Sequence, residues 1–550
     1  MEMVASTYSS ITQQYKSTVE ETPTHIPLID SSTPIHPQFI IVYLGLTTFI
    51  CLIMSYIINS RWTTSKPEQD ETKPVTRMNS TPTPAPGEYI RPLGCMESYL
   101  EVGGEYGTLN TVQAIWLASR EPINPGDVEK ALLLIVQKMP ILQVCVEWRM
   151  MKPWFKQMKE FAFDFKVEED EIMNVFYSQL NQPYDMKRGP LWRARLVPIK
   201  RENSDDSHRA VFLMSIQHCI TDGFTNMQIS RNLLEILNNF VTGTVFEIPL
   251  SPITPALSDE LMTSNDFYYG FKYFWYKVHS TLSSLIDKVP VHNALKLPRT
   301  KKALTRILRE NFTVEETKIF LQLCKENGVA VHSCLMATAS LAVLKTIQNN
   351  AKRSIDKARI NAVSSVNMRR FFHADFREAS GCHISGDEKE VMIHNSSANS
   401  KENFWSLVKR FQSNLDDSLH VTQTPIRNSR LLRLYSAIIY VNHEFTRRGL
   451  KHVTDSHYSC TNMGNLTSLL PSKYNGPIKI TDMLRSGTSE YTGNLFTLVC
   501  HTFDNRFMLS LDHYTTKISD EGAAQFFGIL CLYIKNLVLY GTVQEPGTSS

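Results

Sequence analysis

A chain of 550 residues, 42% apolar and 20% charged, can bury a large core and has room for more than one domain. Its formal net charge is only +3, and no run of Arg and Lys alternates with aromatics, so the electrostatic footprint of a nucleic-acid binder is missing. The ten cysteines fall singly and the sixteen histidines form no HExxH or paired-ligand spacing, which leaves a disulfide framework and a metal centre without sequence support.

Residues 1–38 read as a polar tail. From Phe39 to Ile58 there is no charged side chain, and about 20 such residues at a rise of about 1.5 Å cross a hydrocarbon core of about 30 Å. A transmembrane helix is therefore expected over 39–60. A cleaved signal peptide would need a shorter apolar run behind a basic start. Lys16 is the only Lys or Arg before the span, whereas Arg61, Lys66, Lys73 and Arg77 follow it. The positive-inside rule then puts the large C-terminal part in the cytosol, and the endoplasmic reticulum or a related endomembrane is the expected membrane. Over 61–87, five prolines (Pro67, Pro74, Pro82, Pro84 and Pro86) stand among Thr, Ser and charged residues. Such a composition stays extended and reads as a linker.

The first globular part is expected over 88–250. Short β-branched and aromatic runs at Thr108–Ser119, Leu142–Arg149, Gly189–Ile199 and Ala210–Gln217 predict strands. Between the first two, Asn124-Pro125-Gly126-Asp127 opens a helical period carried by Val128, Ala131, Leu132, Ile135 and Val136, ending near Pro140. After Asp222, apolar residues at Phe224, Met227, Leu233, Leu234, Leu237 and Phe240 predict a helix that buries one face. His218 thus sits where a strand gives way to a helix. Over 251–306, Pro252, Pro255, Pro290 and Pro298 interrupt aromatic stretches, and this region reads as a crossover.

A second mixed part is expected over 307–545. Thr313, followed three residues later by Glu316, makes a capping box. A small-residue-rich helix follows over Val331–Ile347, with strands at Arg359–Asn367, Ser436–Asn442, Leu495–His501 and Arg506–Asp512. The fold class is mixed α and β throughout.

The chemistry concentrates in Gln217-His218-Cys219-Ile220-Thr221-Asp222-Gly223, an HxxxDG pattern. An imidazole at a strand end, with an unperturbed pKa near 6.5, can remove a proton from a hydroxyl or amine attacking a thioester. The pattern alone fits a hydrogen-bonded core histidine equally well. Asp222 can orient the imidazole, cap the following helix or pair with a distant arginine. Gly223 suits a point where backbone or substrate must come close. No Ser or Cys stands in a GxSxG-like setting, which favours direct transfer over an acyl-enzyme.

Five runs in this order resemble the CoA-dependent acyltransferase superfamily built on the chloramphenicol acetyltransferase fold: Arg91-Pro92-Leu93-Gly94 with Glu97, Gly189-Pro190-Leu191-Trp192-Arg193, the His218 motif, Val366-Asn367-Met368-Arg369, and Thr461-Asn462-Met463-Gly464. The likeness is nearest to alcohol acetyltransferases and polyketide-associated acyltransferases. It implies two α/β subdomains with an active-site tunnel at their interface and His218 as general base. No cofactor is bound permanently and acyl-CoA is the co-substrate, with a small or lipophilic alcohol or amine as acceptor. It also implies that Asp222 is chiefly structural and bonds an arginine, a role open to Arg369. Thr461 and Asn462 match a Ser-Asn-x-Gly run, so Thr461 is a candidate donor to substrate or oxyanion, while a turn closed by Asn462 and Gly464 explains the run as well. Gln217 replaces the first histidine of the family's doubled form. The Asp-Phe-Gly-Trp-Gly run of several branches has no clear match, and Ser510-Leu511-Asp512-His513-Tyr514 stands near its place. Two other readings keep the fold and change the chemistry: a silent acyl-ligand-binding protein, and a condensation-type transferase using carrier-protein thioesters.

Overall fold

The computed structural model describes residues 84–149, 152–199, 208–244, 248–257, 261, 304–351, 354–421, 424–426, 456–470, 476–488 and 494–544. The polar tail, the expected span over 39–60, most of the linker and crossover, and the strand expected at Ser436–Asn442 lie outside them.

In the first half, β1 (Tyr89–Pro92) leads into α1 (Cys95–Glu101), then β2 (Asn110–Ser119), α2 (Pro125–Lys138), β3 (Val144–Arg149) and β4 (Lys152–Gln157). After these come β5 (Phe165–Val167), α3 (Ile172–Asn181), β6 (Trp192–Ile199), β7 (His208–Gln217) and α4 (Gly223–Thr242). The local signals act as the sequence implies. Asn124 caps α2 by accepting from the Gly126 N–H, Pro125 fills the first turn, and Val128, Ala131, Leu132, Ile135 and Val136 are buried. Strand starts shift where the backbone turns. Leu109, at φ +57°, delays β2 beyond Thr108, and Gly189, at φ +72°, keeps Gly189-Pro190-Leu191 out of β6.

The second half runs β8 (Thr305–Asn311), α5 (Val314–Glu326), α6 (Val331–Asn350), β9 (Lys357–Asn367), β10 (Ile384–His394) and α7 (Lys401–Asp416). It continues with β11 (Ser456–Asn465), β12 (Ile478–Gly487), β13 (Asn494–Phe503), β14 (Arg506–Tyr514) and α8 (Asp520–Tyr540). The expected capping box closes α5: Thr313 Oγ1 accepts from the Glu316 N–H at 3.1 Å, and Glu316 Oε2 accepts from the Thr313 N–H at 2.8 Å. Small residues such as Ala337, Ala339 and Ala342 line α6 and are fully buried, so the helix lies within the core.

Among the described residues, three sheets form: β1-β4-β3, β10-β9-β11-β13-β14-β8, and β12-β2-β7-β6-β5. The last of these crosses the expected partition at 251–306, because β12 comes from the second half and pairs antiparallel with β2 along its length, from Ile478 opposite Ser119 to Gly487 opposite Thr111. Alternation along β2 and β7 sorts the two faces. Ile115, Leu117, Phe212, Met214 and Ile216 pack with α2 and α4, whereas Val112, Ala114, Val211 and Leu213 pack with Val175, Phe176 and Leu180 of α3. Each fully buried Leu or Phe contributes about 1.5–3 kcal/mol, so both faces anchor the strand that ends at His218.

Among the described residues, α8 has by itself the length and apolarity to cross a membrane. Its apolar side is occupied, however. Phe527, Leu530 and Leu537 are fully buried, and Phe526 stacks on Phe496 of β13 with ring centroids 4.5 Å apart.

Candidate active site

β7 delivers His218 through a braced turn. Gln217, completely buried, donates from Nε2 to the Leu100 carbonyl of α1 at 2.7 Å, and its side-chain oxygen accepts from the Cys219 N–H. α1 is in turn pinned by Glu97, which takes two hydrogen bonds from Arg91 at 2.7 and 2.8 Å and one from the Gly94 N–H at 2.7 Å. The Arg91–Glu97 run is thus a structural brace for the histidine turn. Gln217 fills the position of the absent first histidine with an amide that both donates and accepts.

The half-buried His218 places Nδ1 2.7 Å from the Thr221 carbonyl oxygen. A carbonyl only accepts, so Nδ1 carries the proton and Nε2 presents its lone pair. Burial, then the charge of Arg485, pushes the imidazole below its usual range, and it is neutral at pH 7. The arrangement is that of a base.

Asp222 faces elsewhere. It caps α4 by accepting from the Thr225 N–H at 2.9 Å, accepts from the His383 N–H at 2.9 Å, and takes Arg369 Nη1 at 2.6 Å and Nη2 at 3.2 Å. No hydrogen bond joins it to His218. Burial alone would push this carboxyl up, but the Arg369 charge and hydrogen bonds outweigh it and hold the group well below the usual carboxylate range. Arg369 is itself saturated: Nε donates to the Ala379 carbonyl at 2.8 Å, Nη2 reaches Thr225 Oγ1 at 3.1 Å, and the guanidinium covers the Phe224 ring at 4.6 Å.

Gly223 allows a close approach. A Cβ there would stand 2.7 Å from Nη1 of Arg485 and 3.4 Å from Cε of Met463. Besides Arg369 and His383 at Asp222, β12, through Arg485, and β11, through Met463, approach the start of α4 at Gly223.

The family model for alcohol acetyltransferases matches residues 149–531, more than half of the chain. The chain belongs to the alcohol acetyltransferase family. Among solved structures, the TRI3 trichothecene 15-O-acetyltransferase from Fusarium sporotrichioides is similar with a TM-score of 0.60 at 11% identity, covering 80% of this chain and 95% of that one. The epimerization domain from the third module of tyrocidine synthetase B gives 0.57 at 13% identity, covering 84% and 98%. Polyketide synthase associated protein 5 from Mycobacterium tuberculosis gives 0.53 at 15% identity, covering 84% and 100%. At these identities the likeness shows a shared mixed α/β fold, that of the chloramphenicol acetyltransferase-like acyltransferases. Among curated proteins, bacitracin synthase 3 of Bacillus licheniformis is 23% identical over 228 residues, 40% of this chain. Polyketide synthase PksN of Bacillus subtilis is 26% identical over 131 residues, 22% of this chain. The chain spans only 3% and 2% of the lengths of these two relatives.

In this alcohol acetyltransferase family member, the Thr461-Asn462 run lies in β11, paired with Val499 and Cys500 of β13, and the register shifts between Asn462 and Asn465. Asn462 Oδ1 accepts from the Gly464 N–H at 2.8 Å, Gly464 adopts φ +73°, and the Thr461 hydroxyl bonds Ser365 Oγ at 2.9 Å. What this irregular stretch of β11 brings toward Gly223 is Met463. Near the place of the missing Asp-Phe-Gly-Trp-Gly run, Asp512 of β14 accepts from Ser486 Oγ at 2.8 Å and from the Gly487 N–H at 3.0 Å, which fixes β12 and with it Arg485. Little in the local sequence marks Arg485. Its one local signal is an arginine set between the apolar pair Met483-Leu484 and Ser486-Gly487. Among the described residues, no group of His, Cys, Asp and Glu could hold a metal ion.

Proposed function

We propose that this protein transfers an acyl group from acyl-CoA to a hydroxyl or amine acceptor, with His218 as general base and no acyl-enzyme. The observation that carries the reading is the tautomer of His218: Nδ1 is committed to the Thr221 carbonyl, so Nε2 is free to accept a proton. As the acceptor oxygen bonds the carbonyl carbon, its proton moves to Nε2 and the carbonyl electrons move onto oxygen. The oxyanion then collapses, the carbon–sulfur bond breaks, and the thiolate takes the proton back from the imidazolium. Base assistance of this kind contributes about 10²–10⁴-fold. Asp222 and Arg369 hold the start of α4 rigid, and Gly223 keeps the approach to the base open.

A tunnel between two subdomains would bring thioester and acceptor to His218 from opposite mouths. A span over 39–60 would tether this cytosolic catalytic part beside an endoplasmic reticulum or related membrane, which suits a lipophilic acceptor. The test is release of free thiol from acetyl-CoA with a panel of alcohols and amines. Wild type is expected to release thiol with at least one acceptor, and His218→Ala to lose about 10²–10⁴-fold in kcat with an unchanged melting temperature. Full activity of His218→Ala would refute the base assignment. Tight acetyl-CoA binding without turnover would favour a silent ligand-binding protein.

One observation favours a second donor class: the two curated relatives are a peptide synthase and a polyketide synthase by name. Turnover of a carrier-protein thioester, with CoA thioesters ignored, would establish a condensation-type transferase instead.

A further inference from the structure

β12 is the edge strand of its sheet, and Arg485 on it stands opposite Gln113 of β2. Only 6% of Arg485 is exposed, and Nη1 has no hydrogen-bond partner among the described residues. The charges of Asp222 and Asp512 act on it, but their hydrogen bonds go elsewhere. Asp222 gives its carboxylate to Arg369, Thr225 and His383, and Asp512 gives its own to Ser486 and Gly487. Across on β13, His501 leaves both ring nitrogens without a partner, and burial, then Arg309 and Arg485, pushes it down to about 3.

A buried guanidinium whose Nη1 is left without an acceptor costs stability. Its retention is explained if a ligand supplies the missing acceptor. The position says which ligand: Nη1 lies at the Gly223 backbone, immediately after the HxxxD turn, and the charge of Arg485 reaches His218. Anything reacting at His218 Nε2 shares that space. Attack on a thioester carbonyl beside His218 turns its oxygen negative, and a fixed donor near that oxygen would need no reorganisation.

We propose that Arg485 is a catalytic residue, whose free Nη1 donates a hydrogen bond to the thioester carbonyl oxygen and stabilises the negative charge that forms when the acceptor attacks. The assignment rests on the acyltransferase reading above. Arg485 transfers no proton: the acceptor's proton goes to His218 Nε2 and from there to the departing thiolate, while the guanidinium remains charged throughout. Its pKa, though brought down by burial to about 10, stays far above neutrality.

Wild type, Arg485→Met and Arg485→Lys are compared in three measurements. Methionine keeps most of the volume without the charge, and lysine keeps the charge without the planar fork. In thiol release from acetyl-CoA, Arg485→Met is expected to lose on the order of 10²–10³-fold in kcat, with KM for acetyl-CoA changed far less, and Arg485→Lys to recover part of the loss. In thermal melting, Arg485→Met is expected to match or exceed wild type, because a buried donor with no hydrogen-bond partner has been removed; a structural arginine would give a lower Tm. In calorimetric binding of S-acetonyl-CoA, which has a carbonyl but no transferable acyl group, Arg485→Met is expected to bind at least tenfold more weakly than wild type. A kcat for Arg485→Met within threefold of wild type overturns the proposal. If wild type releases no thiol, the acyltransferase reading fails, and the ketone measurement decides on the carbonyl contact alone: equal binding, or none by either protein, overturns it.

Discussion

Arg369 and Arg485 are both buried against the start of α4, at 3% and 6% exposure, yet their surroundings are opposites. Arg369 meets the Asp222 carboxylate with two nitrogens and divides its remaining donors among Thr225, Ala379, Gly381 and Asn367. Arg485 lies beside Gly223 with Nη1 unmatched. The difference teaches how polar groups divide around an active centre. Charges that hold the architecture are saturated, because an unpaired buried ion costs several kcal/mol. Groups that act on a substrate keep a donor or a lone pair open, as Arg485 and His218 both do.

The largest expected effect falls on the saturated side. Arg369→Ala leaves Asp222 buried without its counter-ion and should destabilise the fold by about 3–5 kcal/mol in urea denaturation. Asp222→Asn combined with Arg369→Met should cost less than the two single changes added together. Simple additivity would show that the pair is not one unit and would break the contrast with Arg485.

The next effect probes the boundary between the two arginines. Gly223→Ala puts a methyl 2.7 Å from Nη1 of Arg485, so the guanidinium must move. A displacement of about 1 Å at a reacting centre costs up to about 10²-fold, and kcat should fall within that range while the Asp222–Arg369 pair still holds the fold. An unchanged kcat would mean that the position of Arg485 is immaterial.

The last effect concerns the carboxylate that fixes β12. Burial raises Asp512 to about 7, against hydrogen bonds from Gly487 and Ser486 and the charge of Arg485, which lower it. Its folded pKa therefore lies above the unfolded value of 3.8, so its contribution to stability is fully present below that pH and is lost as pH rises through about 7. Between those limits stability should decline by at most about 1.4 kcal/mol per pH unit from this group, and Asp512→Asn should flatten that decline. The same slope in both proteins would assign the titration elsewhere.

What the sequence discloses is what is local. The caps at Asn124 and Thr313 and the strand-to-helix step at His218 depend on residues a few positions apart, and the structure forms all three. The pairing of Asp222 with Arg369 joins residues 147 apart, and it is legible only through the resemblance to other acyltransferases. Thr461-Asn462 matches a motif in spelling, and within β11 Asn462 Oδ1 accepts from the Gly464 N–H while the Thr461 hydroxyl bonds Ser365. β12 escapes the reading because its partner β2 lies far back in the chain, and a bulge between Ile480 and Asp482 breaks its alternation. Arg485 inherits that obscurity, since a buried arginine without a partner is visible only once three elements are assembled around it.

The borrowed strand also bears on how the molecule is made. Until residue 487 has left the ribosome, β2 has no neighbour on one side and exposes a row of unpaired backbone donors and acceptors. An edge of that kind invites pairing with other chains, so the nascent first half is the stage at which aggregation threatens and chaperones have a target. A fragment ending before Ile478 would keep His218 and its turn but lack this strand. The two halves mature together, and the active centre is completed only once β12 has emerged.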